Sequence, residues 1–251
     1  MSEKNISNKF ERLLDVKIPM SDGVNLSCDI YLPVKNKKYP TILMRTPYSK
    51  NIDLLINRAL GLVNNGYVCV IQDSRGRWDS DGEYYPFIYE GLDGYTTQEW
   101  IGNQPWSNGE IAMSGSSYGG SVQWASAPYD SKYLKTIAPR VICCDFYKGL
   151  LYPGGAFQLH VALTWGMRNN ARTAQNINYY NWQDLFMNLP LIKTDEISGR
   201  NLKFWKDWIE HPNYDEYWDK INVENQWSQI TVPSLNMGGW YDLYSRDTFS
   251  N

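Results

Sequence analysis

Short apolar runs that alternate with helical patterns constrain the fold of this chain more than any other feature of its sequence. The runs lie at residues 40–44, 67–72, 109–113 and 134–140, and the helical patterns lie at 54–63, 89–104 and 118–127. A short apolar run bounded by turn residues is typical of a strand that is buried on both faces. Strands that alternate with helices favour a mostly parallel sheet, because a parallel connection has to cross over and a helix is the usual crossover. We therefore predict an α/β fold with helices on both faces of the sheet.

The beginning of the chain has a different pattern. Residues 13–19 and 25–32 alternate apolar and polar side chains on either side of the turn residues Ser21-Asp22-Gly23. This is the pattern of a β-hairpin. We expect the hairpin to form an antiparallel edge of the sheet.

The composition changes again after Cys144. The following segment is rich in Trp, Tyr, Asn and Asp, and it has helix-like stretches at 157–172 and 202–210 but no run typical of a parallel strand. The α/β pattern returns at residues 233–237. We predict that residues 1–145 form the first part of an α/β core, that 146–229 form an inserted helical layer, and that 230–251 return to the core.

The overall composition excludes several classes of protein. The 24 basic and 27 acidic residues give a net charge of −3, which argues against a charge-driven nucleic-acid binder. Hydrophobic residues make up 43% of the chain, which is ample for a packed core. The polar N-terminal residues lack the apolar centre of a signal peptide, and the unbroken apolar stretches are only a few residues long. We expect a soluble cytoplasmic protein with no membrane or nucleic-acid partner.

The four cysteines, Cys28, Cys69, Cys143 and Cys144, lie in apolar, strand-like surroundings. They lack the paired short spacing of a zinc site, and adjacent cysteines do not easily form a disulfide with each other. We predict buried free thiols in a reducing compartment.

The strongest chemical signal is Gly115-Ser116-Ser117-Tyr118-Gly119, in which Ser117 has a glycine two residues away on each side. The pattern alone is weak, but here a strand at 110–113 precedes it and a helix follows. A strand-to-helix reversal this sharp needs glycines where a Cβ would clash, and it thrusts the serine hydroxyl out of the sheet. The N–H of Tyr118 is then placed to donate to an oxyanion. The alternative is an ordinary Gly/Ser turn in which the serine only caps a helix.

A nucleophilic serine needs an imidazole base that is held by a carboxylate, and in α/β-hydrolases these residues follow in the order Ser, Asp, His. Asp242 fits the second place, because it lies just beyond the strand predicted at 233–237. Asp247 is the second choice, and a solvated loop aspartate is the alternative. The third place is empty, because His160 and His211 are the chain's two histidines and both precede Asp242. We interpret each of them as a packed or surface histidine rather than as a catalytic substitute.

Taken together, the motifs of the chain resemble the CocE/NonD family of serine hydrolases, which contains cocaine esterase, the X-Pro dipeptidyl-peptidases and the glutaryl-cephalosporin acylases. The resemblance runs over nearly the whole chain. Its motifs are Met20-Ser21-Asp22-Gly23, Arg45-Thr46-Pro47-Tyr48, Gln72-Asp73-Ser74-Arg75-Gly76-Arg77, Asp93-Gly94-Tyr95, Glu99-Trp100, Gln104-Pro105-Trp106-Ser107-Asn108-Gly109, Gly115-Ser116-Ser117-Tyr118-Gly119 and Gly239-Trp240-Tyr241-Asp242.

The resemblance implies an α/β-hydrolase fold with an inserted helical cap, and hydrolysis of an ester or amide through an acyl-enzyme. It implies that Ser117 is the nucleophile, that Asp242 is the triad acid, and that the Tyr48 hydroxyl and the Tyr118 backbone N–H bind the oxyanion. Without it, Tyr48 would be interpreted as a half-buried aromatic at the end of a strand. The segments at residues 75–77 and 106–109 are expected to be scaffold. No metal or organic cofactor is implied.

Members of this family are much longer, and their catalytic histidine follows the acid. We therefore expect the chain to be the N-terminal part of such an enzyme, cut before the end of the core and inactive or nearly so by itself. The alternative is a non-catalytic binding module or assembly partner. The expected partners are a small ester, amide or short-peptide substrate and either a second copy of the chain or a complementing C-terminal polypeptide. The choice between ester, amide and X-Pro peptide stays open.

Overall fold

A six-stranded mixed sheet forms the centre of the protein, for which a computed structural model describes residues 10–34 and 37–251. Its strands are β1 (Phe10–Pro19), β2 (Asn25–Pro33), β3 (Tyr39–Thr46), β4 (Val68–Asp73), β5 (Ser107–Ser116) and β6 (Leu134–Arg140), in the spatial order β1-β2-β4-β3-β5-β6. β1 pairs with β2 and β2 pairs with β4 in antiparallel fashion, whereas β4, β3, β5 and β6 are parallel. The antiparallel hairpin at the edge and the parallel strands beside it are both confirmed.

Helices cover both faces of this sheet. The α-helices of the described residues are α1 (Asp53–Asn64), α2 (Glu90–Gly102), α3 (Tyr118–Ser126), α4 (Leu159–Asn169), α5 (Trp182–Met187), α6 (Thr194–Ile197), α7 (Lys203–Glu210), α8 (Glu216–Asp219) and α9 (Ser245–Ser250). Along β4, Cys69 and Ile71 pack with α1 on one face, while Val68 and Val70 belong to the larger core on the other. Successive side chains of a strand point to opposite faces, so a continuous apolar run is what a strand between two helical layers needs.

The strand predicted at 233–237 is only partly formed. The segment runs parallel to β6, but it pairs only through isolated bridges, Ile137 with Ser234 and Arg140 with Met237. The N–H of Leu235 donates to Ile137 O (2.9 Å) and that of Met237 donates to Pro139 O (3.2 Å). Pro139 has no N–H to donate in return, so the ladder is interrupted at this residue.

Between residues 147 and 229, all of which the structure describes, the chain forms α4 to α8 and several short helical turns and no strand. Its side chains join the same core as the sheet, and Trp205, Trp208 and Trp218 are almost completely buried in it. This part of the chain therefore packs as a helical layer against the sheet. The domain boundaries given above stay a prediction.

All four cysteines are free and buried, as predicted. Burial raises the pKa of the Cys69 thiol to about 12, and it raises the pKa of the Cys143 thiol well above its ordinary value. Both shifts arise because the thiolate would have to form away from water. Within the described residues, no helix is long and apolar enough to cross a membrane.

We predict that the native protein resists thiol reagents. Because a thiolate is the reactive form, Ellman's reagent at pH 8 should modify well under one thiol within minutes, whereas all four should react after unfolding in guanidinium without reductant. The absorbance at 412 nm measures both reactions. Rapid modification of two thiols in the native protein would contradict the packing, and a denatured count of two would indicate a disulfide.

Candidate active site

Ser117 lies in the sharp turn between β5 and α3. Its backbone has φ 55° and ψ −126°, a conformation that residues with a Cβ rarely adopt. Its N–H donates to Arg140 O of the neighbouring strand (2.9 Å), which ties the turn to the sheet. The side chain is half-buried. The sequence prediction of a strained strand-to-helix reversal at this serine agrees with these dihedrals.

Two glycines allow the turn to be this tight. A Cβ on Gly115 would lie 2.4 Å from the carbonyl oxygen of Gly119, and one on Gly120 would lie 2.7 Å from Cγ2 of Ile142. A Cβ on Gly119 would meet only Arg45 O, at 3.4 Å. Gly115 therefore has the role expected from the motif. The second crowded position is Gly120 rather than Gly119. In the sequence, the only sign of this position was that Gly120 follows directly after the glycine of the motif.

The backbone N–H of Tyr118 is the first of α3, so it has no carbonyl partner within the helix. The Tyr118 ring is buried and stacks on Phe87, with 4.8 Å between ring centroids. Its hydroxyl accepts a hydrogen bond from the N–H of Phe87 (2.9 Å). The side chain is thus fixed in the core, and the backbone N–H is left beside Ser117 at the positive end of the helix.

Tyr48, which follows β3, lies beside Ser117. Trp165 of α4 donates through Nε1 to the Tyr48 hydroxyl (3.0 Å), and that hydroxyl also interacts with the Ser117 side chain. Burial raises the pKa of Tyr48, so the phenol keeps its proton at neutral pH. The Tyr48 oxygen accepts the bond from Trp165, so the phenol O–H is not used in that bond and remains able to donate to another acceptor. Sequence reasoning missed Trp165, since nothing distinguishes it from the other tryptophans of the 146–229 segment.

Ser117 opens into a small, mostly apolar cavity of about 60 Å³. The cavity is lined by Tyr48, Phe87, Ser117, Tyr118, Ile142, Leu150, Leu151, Val161, Ala162, Trp165, Trp208 and Tyr244. Three of the four predicted site residues therefore meet around one space, and side chains of residues 150–208 close it. Among the residues that the structure describes, no carboxylate and no imidazole lines this cavity.

The predicted acid, Asp242, does not line the cavity but is hydrogen-bonded to a residue that does. Its Oδ1 accepts the N–H of Tyr244 (2.8 Å), and Tyr244 lines the cavity. The structure shows no hydrogen bond from Asp242 to Ser117 or to either histidine in the part of the chain that it describes. Asp247, the second choice, is buried, and among the described residues its carboxylate accepts one long bond, from Arg246 (3.4 Å). Its Oδ1 would come within 2.9 Å of a Cβ on Gly149, beside Cys143.

The two histidines lie elsewhere. His211 ends α7; its Nδ1 is 2.6 Å from Asp215 Oδ2 and its ring stacks on Tyr217. This contact lowers the pKa of the Asp215 carboxyl. His160 is exposed and its ring packs 5.6 Å from that of Phe186. Neither imidazole is positioned to take a proton from Ser117.

Comparison with known proteins identifies the family. Residues 22–251 match the X-Pro dipeptidyl-peptidase (S15) family. The chain belongs to this family. It is 32% identical over 260 residues to cocaine esterase from Rhodococcus sp. (strain MB1 Bresler), and the match covers 94% of the chain but 45% of that enzyme. The chain thus spans less than half the length of this relative.

Solved structures agree with the predicted fold. An aminopeptidase from the marine sediment archaeon Thaumarchaeota archaeon superposes with a TM-score of 0.79 at 26% identity, covering 96% of this chain and 45% of that one. A CocE/NonD family hydrolase from Staphylococcus aureus superposes with a TM-score of 0.66 at 24% identity, covering 89% and 40%. The predicted family and the α/β-hydrolase fold are confirmed.

The crowding at Gly115 leads to a stability prediction. Gly115→Ala should lower the free energy of unfolding by about 3 kcal/mol, because the clash is with backbone that cannot turn aside. Gly61→Ala is the matched control: it lies within α1 with no atom close to its added Cβ, and it should raise that free energy by about 0.5–1 kcal/mol. Urea unfolding followed by circular dichroism measures both. Similar changes in the two variants would mean that the turn is looser than described.

Proposed function

We propose that Ser117 is the nucleophile of a serine hydrolase that cleaves small esters through an acyl-enzyme. The supporting observation is the geometry around its hydroxyl: a strained turn presents it to an apolar cavity between the Tyr48 phenol and the Tyr118 N–H. A serine that only capped a helix would not need positive-φ backbone or a phenol at its side. Tyr48 and Tyr118 are then the donors that bind the oxyanion.

The proposed reaction follows from these positions. The Ser117 oxygen bonds to the carbonyl carbon of the substrate while a base takes the hydroxyl proton, and the carbonyl oxygen becomes an anion between Tyr48 and Tyr118. The intermediate collapses, the alcohol leaves with a proton, and the acyl group stays on Ser117. Water then attacks the acyl-enzyme in the same way, which releases the acid and restores the serine. Each oxyanion donor contributes on the order of 3–4 kcal/mol to lowering the barrier.

We further propose that Asp242 is the triad acid and that the base comes from polypeptide outside these residues. Asp242 is held next to the cavity lining by its bond to the N–H of Tyr244. The two histidines of the chain are engaged on other surfaces. An imidazole that entered between Ser117 and Asp242 would complete the order Ser, Asp, His. The chain alone should therefore react slowly.

The character of the cavity favours binding of esters with a small, neutral acyl group rather than X-Pro peptides. Its lining is mostly apolar, and within the described residues it contains no carboxylate. A dipeptidyl substrate carries a free ammonium group, and burying that charge without a counter-ion is costly. A small ester meets no such penalty.

The missing base gives a distinctive pH dependence. On incubation with p-nitrophenyl acetate, mass spectrometry should find one acyl group on Ser117, formed at a rate that rises about tenfold per pH unit from 7 to 9, because hydroxide has to remove the proton. Ser117→Ala should stay unlabelled. The acyl adduct should accumulate, since its hydrolysis needs the same base.

Two outcomes would contradict this scheme. No adduct on Ser117 at any pH would exclude it as the nucleophile. A rate that levels off above about pH 7 would show that an imidazole already acts within the chain, because that is where a histidine base becomes fully deprotonated. His160→Ala and His211→Ala would then identify it.

A second role, as an assembly partner, is favoured by the surface around residues 235–249. Leu235, Trp240, Tyr241, Leu243 and Phe249 are exposed there, and the Trp240 and Phe249 rings lie 5.5 Å apart. We call these five residues the aromatic patch. It adjoins the 234–237 segment, which pairs with β6 on one side. An apolar patch beside an open strand edge is typical of a surface that another polypeptide covers. We propose that this polypeptide carries the base.

The aromatic patch should make the isolated chain self-associate. Replacing both Trp240 and Phe249 with Ser should give a lower mass-average molecular weight than the wild-type chain has at the same loading concentration of about 100 µM. Light scattering after gel filtration measures it. Met187→Ser is the control, because Met187 is about as exposed but lies on α5, outside the patch. A wild-type chain that stays monomeric and does not bind the dye ANS would argue against the need for a partner.

A further inference from the structure

Arg77 lies in the loop after β4 and is completely buried. Its Nε donates to Pro47 O (2.8 Å), its Nη1 donates to Asn169 O (2.9 Å) and to Ala171 O, and its Nη2 donates to Asn169 Oδ1 (3.3 Å). The guanidinium also lies over the Tyr84 ring, 5.0 Å from its centroid. One side chain thus joins the residue before Tyr48 to the end of α4.

The partners of Arg77 are unusual for a buried cation. Among the described residues no carboxylate lies within ion-pair distance of it, although Asp73 acts on it from farther away. Arg75, two residues earlier, has the ordinary arrangement, with ion pairs to Asp93 (2.6 Å) and Asp22 (2.7 Å). For Arg77 the carbonyls at the C-terminal end of α4 replace a counter-ion, since that end of a helix carries partial negative charge.

These contacts close a ring of hydrogen bonds around the oxyanion donor. Arg77 binds Pro47, which precedes Tyr48, and Tyr48 accepts from Trp165. Asn169 Nδ2 donates to Trp165 O (2.9 Å), and Asn169 in turn accepts from Arg77. Trp78 adds a second bond to Pro47 O through its Nε1 (3.0 Å). The Tyr48 phenol is therefore held from both its backbone and its hydroxyl, and both supports lead to Arg77.

We propose that Arg77 is a positioning residue for oxyanion binding, which fixes the Tyr48 phenol toward Ser117 by clamping Pro47 to the end of α4. The inference rests on the proposed function of Ser117 and Tyr48. A lysine would keep the charge, but its compact ammonium cannot span Pro47 and Asn169 as the planar fork does. The positive charge of Arg77 assists oxyanion binding as well. Burial raises the pKa of Tyr48, and the Arg77 charge opposes that rise, so it favours negative charge beside the phenol.

A boronic acid tests this without needing the missing base. n-Butylboronic acid fits a small apolar cavity, and its boron accepts the Ser117 oxygen while the hydroxyl proton passes to solvent, which leaves an anionic tetrahedral boronate. One boronate oxygen then occupies the position of the oxyanion. Boron-11 NMR distinguishes tetrahedral from trigonal boron, and titration gives the Kd. Wild type should form the tetrahedral adduct and Ser117→Ala should not.

Arg77→Lys should weaken the tetrahedral adduct about tenfold, and Arg75→Lys, the matched control in the same loop, should change it by less than about twofold. The decisive measurement is the pair of variants in a Tyr48→Phe background. If Arg77 acts through the phenol, Arg77→Lys should have an effect of less than about twofold once the phenol is removed. A merely structural role would weaken binding equally in both backgrounds.

The outcomes separate the inference from the function on which it rests. No tetrahedral boron in wild type, or an equal signal in Ser117→Ala, would overturn the proposed function. A wild-type adduct with unchanged affinity in Arg77→Lys, or an equal loss in the Tyr48→Phe background, would overturn the role of Arg77 alone. Near-UV circular dichroism checks folding; if Arg77→Lys does not fold, Asn169→Ala, which removes one contact to the guanidinium, takes its place. Failure of both to fold would make Arg77 a core residue and would also overturn the proposal.

Discussion

The backbone contact between Gly115 and Gly119 is the constraint on which the rest of the site depends. Because residue 115 has no side chain, the end of β5 and the first turn of α3 approach each other closely. A Cβ on Gly115 would lie only 2.4 Å from the carbonyl oxygen of Gly119. That approach forces Ser117 into positive φ, and the N–H bond to Arg140 O holds it there. Strain of this kind persists only where the surrounding structure over-determines it. Here the parallel sheet on one side and the buried helix α3 on the other provide that support.

The cavity depends on a second element, the helical layer of residues 147–229. The sheet supplies the two strands that lead to Ser117 and Tyr48, but Trp165 and Trp208 close the space above these residues. Trp165 does more than fill volume, because its N–H is hydrogen-bonded to the Tyr48 phenol. The orientation of the proposed oxyanion donor is therefore set jointly by the sheet and by α4. A change of acyl specificity through α4 would alter this orientation as well.

The sequence predicted the sheet well because strands buried on both faces leave continuous apolar runs, and β6 was located at its observed bounds. It predicted the segment at 233–237 less well, because Pro139 in the neighbouring strand removes one donor of the ladder and this effect acts across the chain. Ser117 was predicted from its glycines, and Tyr48 only from the family resemblance; the roles of both stay proposals. Trp165 and the hydrogen-bond partners of Arg77 left no local signal, since these bonds join residues 30 or more positions apart.

The two arginines of the loop after β4 have different partners: Arg75 forms ion pairs, whereas Arg77, the proposed positioning residue, bonds to carbonyl groups. Two carboxylates neutralise Arg75, so its charge has little electrostatic effect on groups outside the loop. Arg77 bonds to carbonyl dipoles, which hold the guanidinium in place without cancelling its charge. A positive charge that is kept in a low-dielectric core favours negative charge wherever it forms nearby. Since the proposed reaction places an anion beside Tyr48, a buried arginine without a paired carboxylate is better suited to this position than an ion pair of equal stability.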